Sequence, residues 1–333
     1  MDKNPSTPRR AALRRMACAM LALAPIAAAT PAWAQDFPAH PITIIVGYPP
    51  GGSNDIVARL VAPALGEALG TTIVVENKAG ANGMIGAGHV AKAKPDGYTL
   101  LLSSASPVVL SPQTMSKPPF NATADLAAIN TVGLTPEAIA VGPNLKVKSL
   151  KELLDLARGK QVTMSSSGAG GLPHLTIELL KQASKGNIVH VPYKGAGPAV
   201  TDTLAGHVDG IVMDLPPLYA LIKDGRLNAL AVTSEKRVSF LASVPTAQEE
   251  LPGFNVVNWV GIFAPAGTPP EILARVDAAI KKAIARPEVR QQLENVAVVP
   301  SVMGGPAEFQ AFFGQEFKRW GAVIKEAGVA MTN

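Results

Sequence analysis

The sequence predicts an α/β fold of two lobes built on open, mainly parallel sheets. Three observations predict it. Short β-rich runs alternate with helical segments over most of the chain, the pattern of parallel βαβ units with right-handed crossovers. The alternation breaks down in the last third, where a closed β/α barrel would keep repeating. About 299 residues remain once the first 34 are set aside as a leader, which is ample for two domains of ordinary size.

The elements follow in order. Ile42–Val46 is a continuous apolar run of strand length, followed by a Tyr-Pro-Pro-Gly-Gly turn and an amphipathic helix over Asn54–Leu69 that Gly70 ends. Thr72–Val75 reads as a second strand, Met84–Ala91 as a helix, and Tyr98–Leu102 as a third strand after an Asp-Gly turn. Residues 117–135 have weak strand character. Beyond them the alternation resumes with a helix at Leu150–Ala157, a strand at Val162–Met164 and a helix at Leu172–Gln182. Strand Ile188–Val191, helix Ala199–Leu204, strand Gly210–Met213, helix Pro217–Ile222 and strand Ala229–Thr233 complete the repeating part. Val256–Phe263 is extended, and Glu271–Ala285 and Glu308–Ala327 are helical. The run Gly80, Gly83, Gly86, Gly88 fits no nucleotide motif and reads as a turn plus close helix packing.

The first 34 residues have the plan of a secretory leader. Four arginines lie in Arg9–Arg15, an apolar stretch runs from Met16 to Ala29, and Ala32-Trp33-Ala34 offers a small-residue cleavage site after Ala34. Pro25 and Pro31 break the stretch, which falls short of the roughly 20 residues of a spanning helix. The arginine pairs suit twin-arginine export and the residues after them do not, so the route stays undecided. Without the leader, 25 basic residues face 24 acidic ones and the net charge falls from +5 to +1. The electrostatic footprint for nucleic acid is then missing. Cys18 leaves with the leader, so the mature chain has no disulfide, thiol nucleophile or thiolate metal ligand.

In open α/β sheets, ligands bind beyond the carboxyl ends of strands, where helix N-termini point into a crevice. Four junctions there are rich in Gly, Ser and Asn: residues 48–55, 103–106, 165–174 and 193–198. Glycine lets a backbone approach a ligand, hydroxyls and amides supply short donors, and unpaired N–H groups with the helix dipole suit an anion. The same residues are also ordinary βα-turn and capping residues. The candidate contacts are Tyr48, Gly51, Gly52, Ser53, Asn54, Asp55, Ser104, Ser166, Ser167, Gly168, Gly170, His174 and Asp214. Asp55 is expected to brace its own loop by accepting N–H bonds. Asp214 suits either such bracing or a ligand's amino or hydroxyl group. The five histidines show no pair at metal-ligand spacing, there is no G-x-S-x-G elbow, and no cofactor or metal is expected.

Tyr48-Pro49-Pro50-Gly51-Gly52-Ser53-Asn54-Asp55, with Ala58-Arg59 after it, resembles the first signature of the Bug receptors, the solute-binding proteins of tripartite tricarboxylate transporters. Val75–Gly83, Ala93–Leu100, Pro192–Gly195, Leu204–Asp209, Asp224–Leu227, Val244–Thr246 and Ala264–Pro269 resemble later parts of the same family, in the same order. The resemblance implies a periplasmic binding protein, a clamshell with a hinge, residues 35–135 and 234–333 forming one lobe and 136–233 the other. It implies a small organic carboxylate as ligand, held by backbone N–H groups, hydroxyls and waters, with membrane transporter subunits as partners and a monomeric receptor. Tyr48, Gly52, Ser53, Asp55, Ser104, Ser166, Ser167, Gly168, His174 and Asp214 are the positions to which the family's contacts carry over. A sensor feeding a membrane kinase and an exported hydrolase using Asp55 and His174 are the competing readings.

Overall fold

The computed structural model describes residues 1–2 and 37–327. The expected leader, its cleavage after Ala34 and Cys18 lie outside the described residues. Two sheets share one long strand. The first holds β1 (Ile42–Val46), β2 (Ile73–Asn77), β3 (Thr99–Ser104), β9 (Val257–Pro265) and the first part of β4 (Leu126–Val141), in the order β2-β1-β3-β9-β4. The two-residue β10 (Val299–Pro300) pairs with β4 at Leu134 and Gly133. The second holds the rest of β4 with β5 (Val162–Ser166), β6 (Ile188–Pro192), β7 (Gly210–Asp214) and β8 (Asn228–Val232).

The units β1–β3 and β5–β7 run parallel, as the βα alternation requires. Strands β4 and β9 run antiparallel to their neighbours and make both sheets mixed. β1 is buried on both faces except at Thr43, which is why Ile42-Thr43-Ile44-Ile45-Val46 reads as an unbroken apolar run. Helices α1 (Ser53–Leu69) and α2 (Met84–Ala91) follow β1 and β2. α3 (Leu150–Gly159), α4 (Leu172–Ser184), α5 (Ala196–Ala205) and α6 (Tyr219–Lys223) belong to the second sheet. α7 (Pro270–Ile284), α8 (Pro287–Asn295) and α9 (Pro306–Ala327) complete the chain, α8 being unforeseen.

One core packs α1, α7 and α8 against a face of the first sheet through Val57, Val61, Leu65, Ile280 and Leu293. The opposite face packs α2 and α9 around Trp259, Phe263, Phe309 and Phe313, and Leu172 and Leu175 of α4 reach into that core. α2 sits hard against the loop after β1 because neither backbone carries a side chain at the contact. A Cβ on Gly86 would lie 2.8 Å from the Cα of Gly47.

β4 is the principal difference from expectation. It occupies much of the stretch that reads as loose and passes from one sheet to the other between Pro136, paired with Val257, and Glu137, paired with Asp214. The chain meets this point again on its way back. Thr233 binds Glu137 at the crossing, through Thr233 N–H to Glu137 C=O at 3.0 Å and Glu137 N–H to Thr233 Oγ1 at 3.0 Å. Residues 234–256 then stay largely with the second sheet, because Val238, Leu241, Val244 and Ala247 bury their apolar side chains there. The chain re-enters the first sheet only at Val257.

Candidate functional site

The carboxyl ends of β1, β3, β5, β6 and β7 deliver their loops to one cleft. A small cavity of about 20 Å³ is lined by Tyr48, Gly52, Ser53, Asn54, Ser104, Ser106, Ser167, Pro173, Ala196 and Asp214. That is space on the scale of one water molecule or one ligand oxygen. A larger cavity of about 620 Å³ shares Tyr48 and Ser167 and adds Asn82, Ser111, Tyr193 and Lys194. It is of the size of small-molecule sites. A shallow groove of about 720 Å³ along Arg59, Pro63, Gly66 and Ile73 shares no residue with either.

Three helices start at the small cavity: α1 at Ser53, α4 at Leu172 and α5 at Ala196. Their N-cap residues are Gly52, Gly171 and Gly195, and none of the three carries a side-chain cap. Ser106 takes the Leu172 N–H of α4, and Pro173 and Pro198 have none, but the other first-turn N–H groups of the three helices are not consumed by N-cap side chains, and the positive ends of the helix dipoles meet in one place. Lys194 and Asp214 are the formally charged residues lining the two cavities.

Each loop is held from behind. Asp55 lies in the first turn of α1 with its Oδ2 accepting the Gly51 N–H at 2.9 Å. Its Oδ1 accepts from Arg59 Nε at 2.9 Å and from Asn77 Nδ2 at 2.8 Å. Burial raises its pKa, but these donors outweigh burial and hold the carboxyl below its ordinary value. Asn77 also donates to the Tyr48 carbonyl at 2.9 Å. The Tyr48 hydroxyl donates to Asn82 Oδ1 at 2.9 Å, and Asn82, in the left-handed region at φ 50°, donates to Ser111 Oγ at 2.9 Å. Burial, then the nearby Asp214 carboxyl, raise the Tyr48 phenol well above its ordinary value.

The loop after β5 is braced by two histidines. The Gly170 N–H donates to His174 Nδ1 at 3.0 Å, the Gly168 N–H to Ser166 Oγ at 3.2 Å, and Ser166 Oγ lies 2.6 Å from His190 Nε2. The His174 and His190 rings stack with centroids 4.0 Å apart. Burial, then the neighbouring His174, push His190 down to about 3, and burial lowers His174 as well. The unfolded chain therefore binds protons between pH ~6.5 and ~3 that the folded protein refuses, so this pair's contribution is complete above pH ~6.5 and is lost as pH falls. Melting followed from pH 7 to pH 4.5 is expected to show a smaller loss of Tm for His190→Gln than for the unaltered protein. An equal loss would place the acid sensitivity elsewhere.

Direct bonds cross between the loops of the two sheets. The Leu172 N–H, at the start of α4, donates to Ser106 Oγ at 2.9 Å, and the Ser111 hydroxyl donates to the Gly170 carbonyl at 3.3 Å. Asn258 of β9 accepts the Ala105 N–H at 3.1 Å, which fixes its amide orientation, and donates from Nδ2 to Asp214 Oδ1 at 3.0 Å.

Of the sequence candidates, Tyr48, Gly52, Ser53, Asn54, Ser104, Ser167 and Asp214 line the small cavity, and Gly168 lines the larger one. Gly51, Asp55, Ser166, Gly170 and His174 stand behind the lining as braces. Asp55 and His174 thus line neither cavity, and each is committed to its own loop. Ser106, Asn82, Ser111 and Asn258 were not singled out. Ser106 lies in the Ser-rich junction after β3, whereas Asn258 sits inside a strand run and carries no local signal.

The family model described as tripartite tricarboxylate transporter family receptor matches residues 57–329. Protein BugT of Bordetella pertussis is 36% identical over 307 residues, covering 91% of this chain and 94% of that one. The solved periplasmic binding protein BugD is 32% identical with a TM-score of 0.83, over 89% of this chain and 100% of that one. R. palustris Rpa4515, solved with adipate, is 30% identical with a TM-score of 0.85, over 89% of this chain and 99% of that one. The chain belongs to the tripartite tricarboxylate transporter family receptors, and is a two-lobe solute-binding receptor of the Bug type.

Proposed function

We propose that this receptor captures a small organic carboxylate between its two lobes and delivers it to membrane transporter subunits. The observation that carries the reading is the meeting of three helix N-termini with glycine N-caps at one small cavity, one from the first sheet and two from the second. Such a site neutralises an anion with N–H groups and dipoles and needs no cationic cluster. The carboxylate head belongs in the small cavity, against Gly52, Ser53, Asn54, Ser104, Ser106 and Ser167, and the rest of the molecule in the larger one. The adipate held by Rpa4515 supports this ligand class.

Capture works by closure. Each half-site alone offers part of the shell, and an anion that touches both favours the closed arrangement through its differential affinity. In this reading the lobes are residues 37–136 with 257–327, and 137–256, and the packing of residues 234–256 against the second sheet supports that return boundary. A leader cleaved after Ala34 would place the mature, monomeric receptor in the periplasm. Among the described residues no helix is long and apolar enough to cross a membrane.

Thermal unfolding of residues 35–333 against succinate, adipate, citrate, glutamate and benzoate tests the reading. A ligand at 100 times its Kd adds about 2.7 kcal/mol, a rise of roughly 4–8 °C for a protein of this size. No rise with any acid, on protein freed of co-purified ligand, would overturn it.

A further inference from the structure

Directly opposite each other on the antiparallel pair β4/β7 stand two acids, Glu137 and Asp214. Opposite residues share a face of the sheet with Cβ atoms ~5 Å apart. Glu137 is fully buried, while Asp214 keeps part of its surface open to the small cavity. The groups acting on Asp214 are the Asn258 amide of β9 and the Ser53 hydroxyl of α1, and its own carboxyl acts on Glu137 of β4 and Tyr48 of the first loop. Among the described residues, no lysine, arginine or histidine acts on it.

Burial and an unpartnered oxygen favour a neutral Glu137. Thr176 Oγ1 of α4 lies 2.5 Å from Glu137 Oε2 and 3.0 Å from the Leu172 carbonyl. The hydroxyl has one proton, and the carbonyl can only accept. That proton is directed to Glu137 Oε2 and at most shared with Leu172, so Thr176 serves a single carboxyl oxygen. Glu137 Oε1 is buried with no partner among the described residues, which an ionised carboxylate would find costly. Burial, then Asp214, hold Glu137 well above the usual carboxylate range, and burial pushes Asp214 up to about 6 against the pull of Asn258 and Ser53. Near neutral pH in the free receptor, the pair therefore holds one proton, and Asp214 is mostly ionised.

A ligand carboxylate entering the small cavity would meet that second negative charge within a few ångströms, where water has been displaced. Two such charges cannot both persist at low cost. We propose that Asp214, backed by the neutral Glu137, makes capture a proton-coupled event: one proton from solvent binds the Asp214 carboxylate as the ligand's carboxylate enters. Asp214 is then the group that sets how strongly affinity depends on pH.

The inference rests on the carboxylate reading, and one titration separates the two. Binding heats are measured at pH 7.5 in phosphate and in Tris, buffers with different heats of ionisation, using whichever acid of the panel shifts Tm most. The expected result is a buffer-dependent heat equivalent to about one proton taken up per ligand. Kd should weaken by about tenfold per pH unit between pH 7 and 8.5, a range in which the acids themselves do not titrate. Asp214→Asn should abolish the buffer dependence and flatten Kd against pH. Equal heats in the two buffers, or an uptake that persists in Asp214→Asn, would overturn the inference and leave the carboxylate reading standing. No heat with any acid would overturn both.

Discussion

Phenylalanine at Ser167 abolishes ligand-induced stabilisation and leaves the free protein's unfolding nearly unchanged. Ser167 lines both cavities, and its loop is held by Ser166, His174, His190 and the Gly195 N–H, not by its own side chain. An aromatic ring there fills space no larger than a water molecule and displaces the carboxylate head. Losing two hydrogen bonds to a charged group costs roughly 3–6 kcal/mol, a weakening of about 100-fold or more. The residue is only half-buried and lies outside the regular elements, so the cost to the fold stays within roughly 0.5 kcal/mol. Titration calorimetry with the best acid of the panel reads the first effect and the urea midpoint of the free protein the second. Affinity within a few-fold of the unaltered protein would remove the small cavity from the site.

The second large effect concerns stability. Trp259→Ala is expected to lower the unfolding free energy by roughly 3–5 kcal/mol. Trp259 is 2% exposed and packs edge-on against Phe309 and Phe313, with centroids 5.5 and 6.4 Å away. Its indole N–H faces Glu316 Oε2 at 3.4 Å, which also receives the Trp320 N–H at 3.0 Å. Removing the ring empties the middle of the core beneath β9 and leaves Glu316 with one indole partner fewer. In urea the midpoint should fall with an unaltered m-value, since the surface exposed on unfolding hardly changes. A loss below 1 kcal/mol would show that this core collapses around the gap.

The repeating βα elements were legible because each satisfies one simple rule. Ile42–Val46 is a buried parallel strand and looks like one, and Gly70 ends α1 in the left-handed conformation at φ 74°. β4 was not legible, and its residues say why. Asn130, Gly133, Thr135, Pro136 and Glu137 are turn-like or polar, yet they are buried at the boundary between the sheets. Gly133 is required there, because a Cβ would lie 2.5 Å from Val298. Two register shifts between Ala128 and Gly133 also break the alternation by two that marks a strand. In the candidate site, the glycine- and serine-rich loops that line the cleft could be read from composition, because tight βα turns demand those residue types. Which of them face the cavity could not. Ser166 and Ser167 are chemically alike, and only the loop's bonds to His174 and His190 turn one inward to the brace and the other to the cleft. Asn258 and Glu137 escaped notice because what gives them a role is Asp214 on another strand, more than 40 residues away in either case.

The place of β9 between β3 and β4 also governs the order in which the molecule can assemble. Every strand of the second sheet lies within residues 137–232, so that sheet can form from one continuous stretch of chain. The first sheet cannot close until residues 257–265 arrive, because β9 must insert between partners about 160 and 130 residues earlier in the chain. A chain emerging N-terminus first therefore carries β1–β3 as an unfinished half-sheet, its β3 edge open, through most of its synthesis. Pulse-labelled hydrogen exchange during refolding should find the amides of β5–β7 protected before those shared by β3 and β9, and simultaneous protection would mean that the sheets form as one unit. Delayed closure keeps the first half of such a chain extended and threadable for longer than the second sheet.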